Sequence, residues 1–267
     1  MYIRPITTLN LKVLRKLKGV FADIADTITT GGYLTPRAYN SLEKLQNSGL
    51  LVILVTGRSA GWCDHIGRMW PIDGVIGENG AFYFRYDKNI RKFFKRFMII
   101  PENQKKERAH LYSVANRIFQ EVPGTAFASD QEYRFADIAV DISEDVSSIT
   151  KSKVNKIIKI MEEEGLSAKA SSVHVNGWRG QYNKLTMTKI MMKECFSVNL
   201  DTEEEHFIFV GDSPNDQAMF KFFQNSVGVA NVKSFKNQFK DKPKYVTKNP
   251  SGLGFNELVK IVVAGKL

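Results

Sequence analysis

Three short polar stretches follow directly on strongly apolar runs, and their residue types suit one chemistry. Residues 19–22 run into Asp23-Ile24-Ala25-Asp26-Thr27, residues 50–55 into Thr56-Gly57-Arg58, and residues 206–210 into Gly211-Asp212-Ser213-Pro214-Asn215-Asp216. A fourth polar position, Lys184, opens a segment of helical period. Two carboxylates on one rim, Asp23 and Asp212, are hard oxygen ligands of the kind that hold Mg²⁺ while it keeps waters and takes up a phosphate oxygen. A lysine, a threonine hydroxyl and backbone N–H groups at helix starts neutralise the remaining phosphoryl oxygens. With the phosphate charge screened in this way, an aspartate can attack phosphorus and form an aspartyl-phosphate, and Asp23 is the candidate. Each stretch alone also has a structural explanation: a self-bonded turn at 23–27, a helix cap at 56–58 or 211–216, a solvated lysine at 184. The chemical reading is specific because all four occur in order, each at a strand end or a helix start.

For these sites to meet, the strands that carry them must lie parallel. Residues 73–77 form a further apolar run, which stops at Glu78-Asn79-Gly80. Thr35-Pro36 reads as an N-cap followed by proline at the first helical position, opening a helix with Leu42 and Leu45 on one face and Gly49 at its close. Alternation of this kind predicts a parallel sheet with crossover helices, where ligands gather at the carboxyl ends of strands. Between about 81 and 180 the rhythm changes. Residues 82–86 and 92–97 are aromatic and basic, as in antiparallel strands with one wet face. A helix over 102–120, a strand over 138–142, a helix over 153–164 closed by Gly165 and a strand over 172–175 follow. After Lys184 the α/β rhythm returns, with helices over 185–195, 217–223 and 254–263 and strands over 206–210, 226–230 and 244–247. The expected architecture is α/β: a Rossmann-like parallel-sheet core built from residues 1–81 and 182–267, with an inserted α+β domain over 82–181.

Composition narrows the classes of function. The chain has 267 residues, 43% of them apolar and 25% charged, which describes a packed globular protein and excludes extended disorder. A net charge of +10 favours an anionic partner. The basic aromatic stretch over 88–97 invites a nucleic-acid reading, yet a strand with Lys and Arg on its wet face explains it with less effort, so no nucleic acid is expected. The longest strongly apolar run, 50–55, is far short of the roughly 20 residues that cross a bilayer, and no membrane partner is expected. Residues 1–18 lack the apolar stretch of a signal peptide, and two cysteines make no disulfide scaffold, so the expected compartment is the cytoplasm.

The ordered set 23–27, 55–58, Lys184 and 211–216 resembles the haloacid dehalogenase superfamily of phosphatases. The block between the second and third motifs is similar to the large α/β cap of the Cof-type (IIB) subgroup, which includes sucrose-phosphate, trehalose-phosphate and mannosyl-3-phosphoglycerate phosphatases and phosphomannomutase. Glu78-Asn79-Gly80-Ala81 resembles a sequence common in that subgroup. The resemblance implies that Asp23 is nucleophile and metal ligand, that Thr56, Gly57, Lys184 and Asn215 bind the transferring phosphoryl group, and that Asp212 ligates Mg²⁺. Asp216 would support the metal and Lys184 from the same loop, and the cap would select a small phosphorylated metabolite. Arg58, Asn79 and Arg179 are weaker candidates for contacting the substrate.

One position departs from the family pattern D-x-D-x-[TV]. The second aspartate, which protonates the leaving oxygen and later activates water, is Ala25 here. Asp26 does not substitute, because a neighbour along an extended strand end points its side chain elsewhere. The family holds the metal at this position through the backbone carbonyl, so Ala25 keeps that ligand while losing the acid and base. General acid–base assistance is commonly worth about 10²–10⁴ in rate, so turnover is expected to be impaired. The alternatives are an inactive phosphometabolite-binding or regulatory protein, or a phosphomutase. His174, in a strand of the inserted block, reads as a packed or surface imidazole.

Overall fold

A computed structural model describes residues 3–98, 104–235 and 238–266. In chain order the elements are β1 (Arg4–Pro5), α1 (Leu11–Lys16), β2 (Gly19–Ala22), α2 (Pro36–Asn47), β3 (Leu51–Val55), α3 (Ala60–Met69), β4 (Gly74–Gly77), β5 (Phe82–Asp87) and β6 (Lys92–Phe97). There follow α4 (Gln104–Glu121), β7 (Ala126–Phe127), β8 (Asp137–Asp141), α5 (Lys151–Glu163), β9 (Ser167–Ala170) and β10 (His174–Trp178). The last part holds α6 (Lys184–Phe196), α7 (Leu200–Glu203), β11 (Phe207–Gly211), α8 (Gln217–Phe222), β12 (Ser226–Gly228), β13 (Tyr245–Val246) and α9 (Ser251–Lys266).

Nine strands form one sheet in the order β1-β13-β12-β11-β2-β3-β4-β5-β6. All its pairs are parallel except β4 with β5 and β5 with β6. The two ends of the chain thus share a sheet, as the alternation predicts. Strand β2 sits between β11 and β3 in a register that places Val210 beside Ala22 and Ala22 beside Leu54. The residues that leave these three strands therefore emerge side by side at one rim.

Side-chain alternation supplies both faces of this sheet. Val20, Ala22, Val52 and Leu54 point into one core with Leu42, Leu45 and Phe255, while Phe21, Ile53 and Val55 point into the other with Met187, Phe209 and Phe220. Helix α2 starts as its sequence indicates: the Thr35 hydroxyl accepts from the Ala38 N–H at 3.3 Å, and Gly49 closes the turn at φ +73°. A second, four-stranded antiparallel sheet, β7-β8-β10-β9, packs α4 and α5 over its own core around Ile118, Val140, Ile157 and Val175. Among the described residues no helix is long and apolar enough to cross a membrane.

The structure corrects several expectations. Strands 82–86 and 92–97, assigned to the inserted block, extend the large sheet, β5 pairing antiparallel with β4 and β6 with β5, so the change of sheet does not fall at residue 82. The reason lies in the turn at Glu78-Asn79-Gly80, whose three residues all have positive φ and reverse the chain directly beside β4. Phe82 and Phe84 then stack at 4.4 Å in the core of the large sheet. The strand expected at 172–175 begins at His174, because Ser171 exchanges three hydrogen bonds with that residue and closes a turn. Strand β9, with the sequence SAKA, carries no β-branched or aromatic residue to announce it. The helix expected over 102–120 is α4; residues 102 and 103 lie outside the described residues.

Gly80 positions the site. Its φ is +107°, and a Cβ there would strike the backbone of Asn183, whose side chain caps the first turn of α6 by accepting from the Thr186 N–H at 3.1 Å. Gly80→Ala should cost roughly 1–3 kcal/mol and displace the start of α6, read as a lower urea midpoint; an unchanged midpoint would show that the two backbones are not tightly apposed.

Candidate active site

Lys184 is the first residue of α6, and its ammonium is buried between two carboxylates. It donates to Asp23 Oδ1 and to Asp216 Oδ1, each at 2.7 Å. The other oxygen of Asp216 accepts from the backbone N–H of Asp212 at 3.0 Å and of Ser213 at 3.4 Å, so this aspartate folds its own loop around Lys184. Asp212 is held by Asn231, whose amide donates to Asp212 Oδ2 at 3.1 Å and to the Asp26 carbonyl at 3.0 Å. Asn231 in turn accepts from the Ser251 N–H at the start of α9. Sequence reasoning missed Asn231: it lies outside every motif, and only the fold brings it to the rim.

One carboxylate oxygen from each of Asp23, Asp212 and Asp216 lies within 4.8 Å of the other two. All three aspartates are buried, with a single ammonium among them. Burial pushes the Asp23 carboxyl up to about 7, with Lys184 pulling it down and Asp216 adding to the rise. Burial, followed by the charges of Asp23 and Asp216, also raises Asp212 well above the usual carboxylate range. Lys184 is held above its ordinary value: Asp216 and Asp23 outweigh the opposing effect of burial. The donor set fits a hard dication. Asp212 keeps Oδ1 without a protein partner, and the Ala25 carbonyl accepts no backbone hydrogen bond, among the described residues. Asp216 is the least free of the three, since both its oxygens are engaged.

The loop after β3 completes the rim. Thr56 is buried, and its hydroxyl accepts from the Arg58 N–H at 3.2 Å. The Asn79 N–H donates to the Thr56 carbonyl, and the Asn79 amide lies against Gly57. Among the described residues, neither polar atom of that buried amide has a hydrogen-bond partner. Glu78, also buried, accepts from the N–H groups of Ala60, Phe135 and Ala136, which ties the start of α3 to the chain beyond α4. Burial first, then the charge of Asp137, pushes Glu78 up to about 8 against the pull of Arg134. The buried guanidinium of Arg134 binds Asp130 and Asp137 and donates to the Gly57 carbonyl at 3.0 Å.

A narrow cleft lies between the two sheets. Asp23, Ala25, Thr56, Gly57, Arg58 and Asn215 line one side, and the turn from Ser171 to His174 with Asn176 faces them. Asn215 accepts from the Ser213 hydroxyl at 2.9 Å. Arg58 reaches across the cleft to both oxygens of Glu144, at 2.7 and 3.1 Å. Arg179 does not join the cleft: it is exposed and pairs with Glu107 on α4. His174, expected to be packed or on the surface, is buried and lines the cleft.

The raised carboxyl values carry a pH dependence of definite sign. A carboxyl whose folded value exceeds its unfolded one, 3.8 for Asp23, destabilises the fold only where the unfolded chain is ionised. That penalty is absent below about 4, grows as pH rises and is complete above about 7. A bound dication offsets it and competes with protons for the same oxygens. Mg²⁺ should therefore raise the melting temperature more at pH 8 than at pH 5, and Asp212→Asn should remove most of the response. Equal stabilisation at both pH values would disconnect the metal from these aspartates.

Comparison with known proteins places this geometry. A phosphoglycolate phosphatase of Methanobrevibacter smithii is 26% identical over 255 residues, which cover 91% of this chain and 97% of that one. Among solved structures, a protein of Thermoplasma acidophilum superposes with a TM-score of 0.68 at 19% identity, covering 92% of this chain and 98% of the other. The C-terminal domain of a trehalose-6-phosphate phosphatase of C. albicans gives 0.69 at 13% identity, with 98% of each chain covered. The pattern of one family matches residues 20–254, nearly the whole of the large sheet and all of the smaller one, and the chain accordingly belongs to the haloacid dehalogenase-like hydrolases.

Proposed function

We propose that the protein is a Mg²⁺-dependent phosphatase acting on a small phosphorylated metabolite, a sugar phosphate or a phosphorylated acid of similar size, through an aspartyl-phosphate on Asp23. The observation that carries this reading is the buried Lys184 bridging Asp23 and Asp216 beside Asp212, on two adjacent parallel strand ends and one helix start. Asp23 attacks phosphorus. Lys184 holds the nucleophile ionised and, with the Thr56 hydroxyl, the Gly57 backbone and Asn215, neutralises charge on the transferring group. Asp23, Asp212 and the Ala25 carbonyl would hold Mg²⁺, with Asp216 fixing the loop; the ion supplies charge that lets an anionic nucleophile approach an anionic ester. The four-stranded sheet with α4 and α5 acts as the cap, and its Ser171–Asn176 edge faces the reacting centre. The relatives named for phosphoglycolate and trehalose 6-phosphate support this substrate range. The compartment we assign is the cytoplasm, in keeping with the two unpaired cysteines, Cys63 and Cys195.

Ala25 favours a second reading, in which the chain binds a phosphometabolite and turns it over poorly or not at all. Phosphate release from a panel of sugar phosphates and phosphoglycolate with Mg²⁺ separates the two. Asp23→Asn should abolish release, and Ala25→Asp should raise it by about 10² or more. Inertness of both the native chain and Ala25→Asp across the panel, with ligand binding retained, would favour the binding protein.

A further inference from the structure

The reaction just proposed needs a proton donor for the leaving oxygen and a base for water, and position 25 offers only a methyl group. The residues lining the cleft include three that carry ionisable side chains: Asp23, Arg58 and His174. Asp23 is committed to phosphorus, and an arginine stays charged at every working pH. That leaves His174, the side chain whose chemistry suits both duties near neutral pH.

Its setting is that of an oriented imidazole. His174 begins β10 and is 3% exposed, so its ring has little room to turn. Its Nε2 lies 2.9 Å from Glu144 Oε2, an ion-pair distance without the alignment of a hydrogen bond, which sets the ring beside the carboxylate. That carboxylate is fixed from the opposite wall by the Arg58 guanidinium, and the Glu144 N–H is held by Asp141, which stands opposite His174 in the β8–β10 ladder. Arg58 and His174 together hold the Glu144 carboxyl down at about 2, so it stays an anion. With Nε2 beside the carboxylate, Nδ1 is the ring nitrogen left to face a substrate.

We propose that His174, oriented by Glu144, performs the proton transfers that Ala25 cannot. The inference rests on the phosphatase reading above. As the Asp23 oxygen bonds to phosphorus and the ester P–O bond breaks, the imidazolium gives its proton to the departing oxygen, which leaves as an alcohol. The neutral ring then takes a proton from water while the water oxygen attacks phosphorus. That step frees the Asp23 carboxylate and inorganic phosphate and restores the imidazolium.

The test is a double-mutant cycle between positions 174 and 25, run with Mg²⁺ on two esters. One is phosphoglycolate or a sugar phosphate, whose alkoxide leaving group needs a proton; the other is p-nitrophenyl phosphate, whose phenolate does not. In the native background His174→Asn should lower kcat/KM, which reports the departure of the leaving group and not the shared hydrolysis of the aspartyl-phosphate, by about 10-fold or more on the alkyl ester, with little change on the aryl ester. With Asp at position 25 the same substitution should cost less than about 3-fold, because the carboxylate takes over. Glu144→Gln, which preserves size, should show the same selectivity for the alkyl ester with a smaller loss. Equal losses on both esters, or equal losses in both backgrounds, would reduce His174 to packing or substrate contact and overturn the proposal. So would release by Ala25→Asp with none from the native chain on the alkyl ester. If no form, Ala25→Asp included, releases phosphate from either ester, the phosphatase reading itself fails and takes this inference with it.

Discussion

Three buried carboxylates share one ammonium at the carboxyl ends of β2 and β11, and the rest of the molecule is arranged to make that tolerable. Taking such a group of charges out of water costs several kcal/mol per ion unless each finds a close partner. Lys184 satisfies two of them at once, Asn231 steadies the third, and backbone N–H groups of the 211–216 loop absorb what remains. The parallel register of β11, β2 and β3 is what allows residues so distant in sequence to crowd together. Crowding in turn makes the aspartates hard to ionise together, and burial with mutual repulsion raises both Asp23 and Asp212. The aliphatic core on one face of the sheet and the phenylalanine- and methionine-rich core on the other compensate.

Much of this was legible before any coordinates. Asp23, Thr56 and Asp212 each follow a run apolar enough to be a buried strand, and a polar residue in that place has few purposes in a parallel sheet. Lys184 was legible through its place at a helix start. What escaped detection depends on contacts that no local pattern encodes. The aromatic strands β5 and β6 advertise one wet and one dry face, and that alternation is the same whichever sheet they join. Their allegiance is decided by the positive-φ turn at 78–80. Asn231 sits in an unremarkable stretch, and Arg134 looks like any surface arginine until its partners Asp130 and Asp137 close around it. His174 reads from the sequence as a packed or surface imidazole; it is buried, and no local pattern discloses that it faces Asp23 across a cleft.

The two sheets contribute differently to the cleft. From the large sheet come Asp23, Thr56 and Arg58, which leave the ends of its parallel strands; from the smaller one come the turn at Ser171 and the start of β10, His174 and Asn176. Asn176 is itself tied down, donating to Asp137 Oδ2 at 2.8 Å. Ala25 lies with the large-sheet group, one position beyond Asp23 and Ile24, which follow the end of β2.

The buried Arg134 guanidinium has a mechanical meaning beyond its charge. It grips Asp130 and Asp137 in the small sheet's half of the molecule and, through Gly57, the very loop that carries Thr56. Breaking it would strand an ion in a dry interior, whereas the Arg58–Glu144 pair on the far wall of the cleft is partly wet and can be parted cheaply. Of the two attachments across the cleft, the one at Arg134 is sealed from water and the one at Arg58 is open to it, so the ease of parting them is unequal.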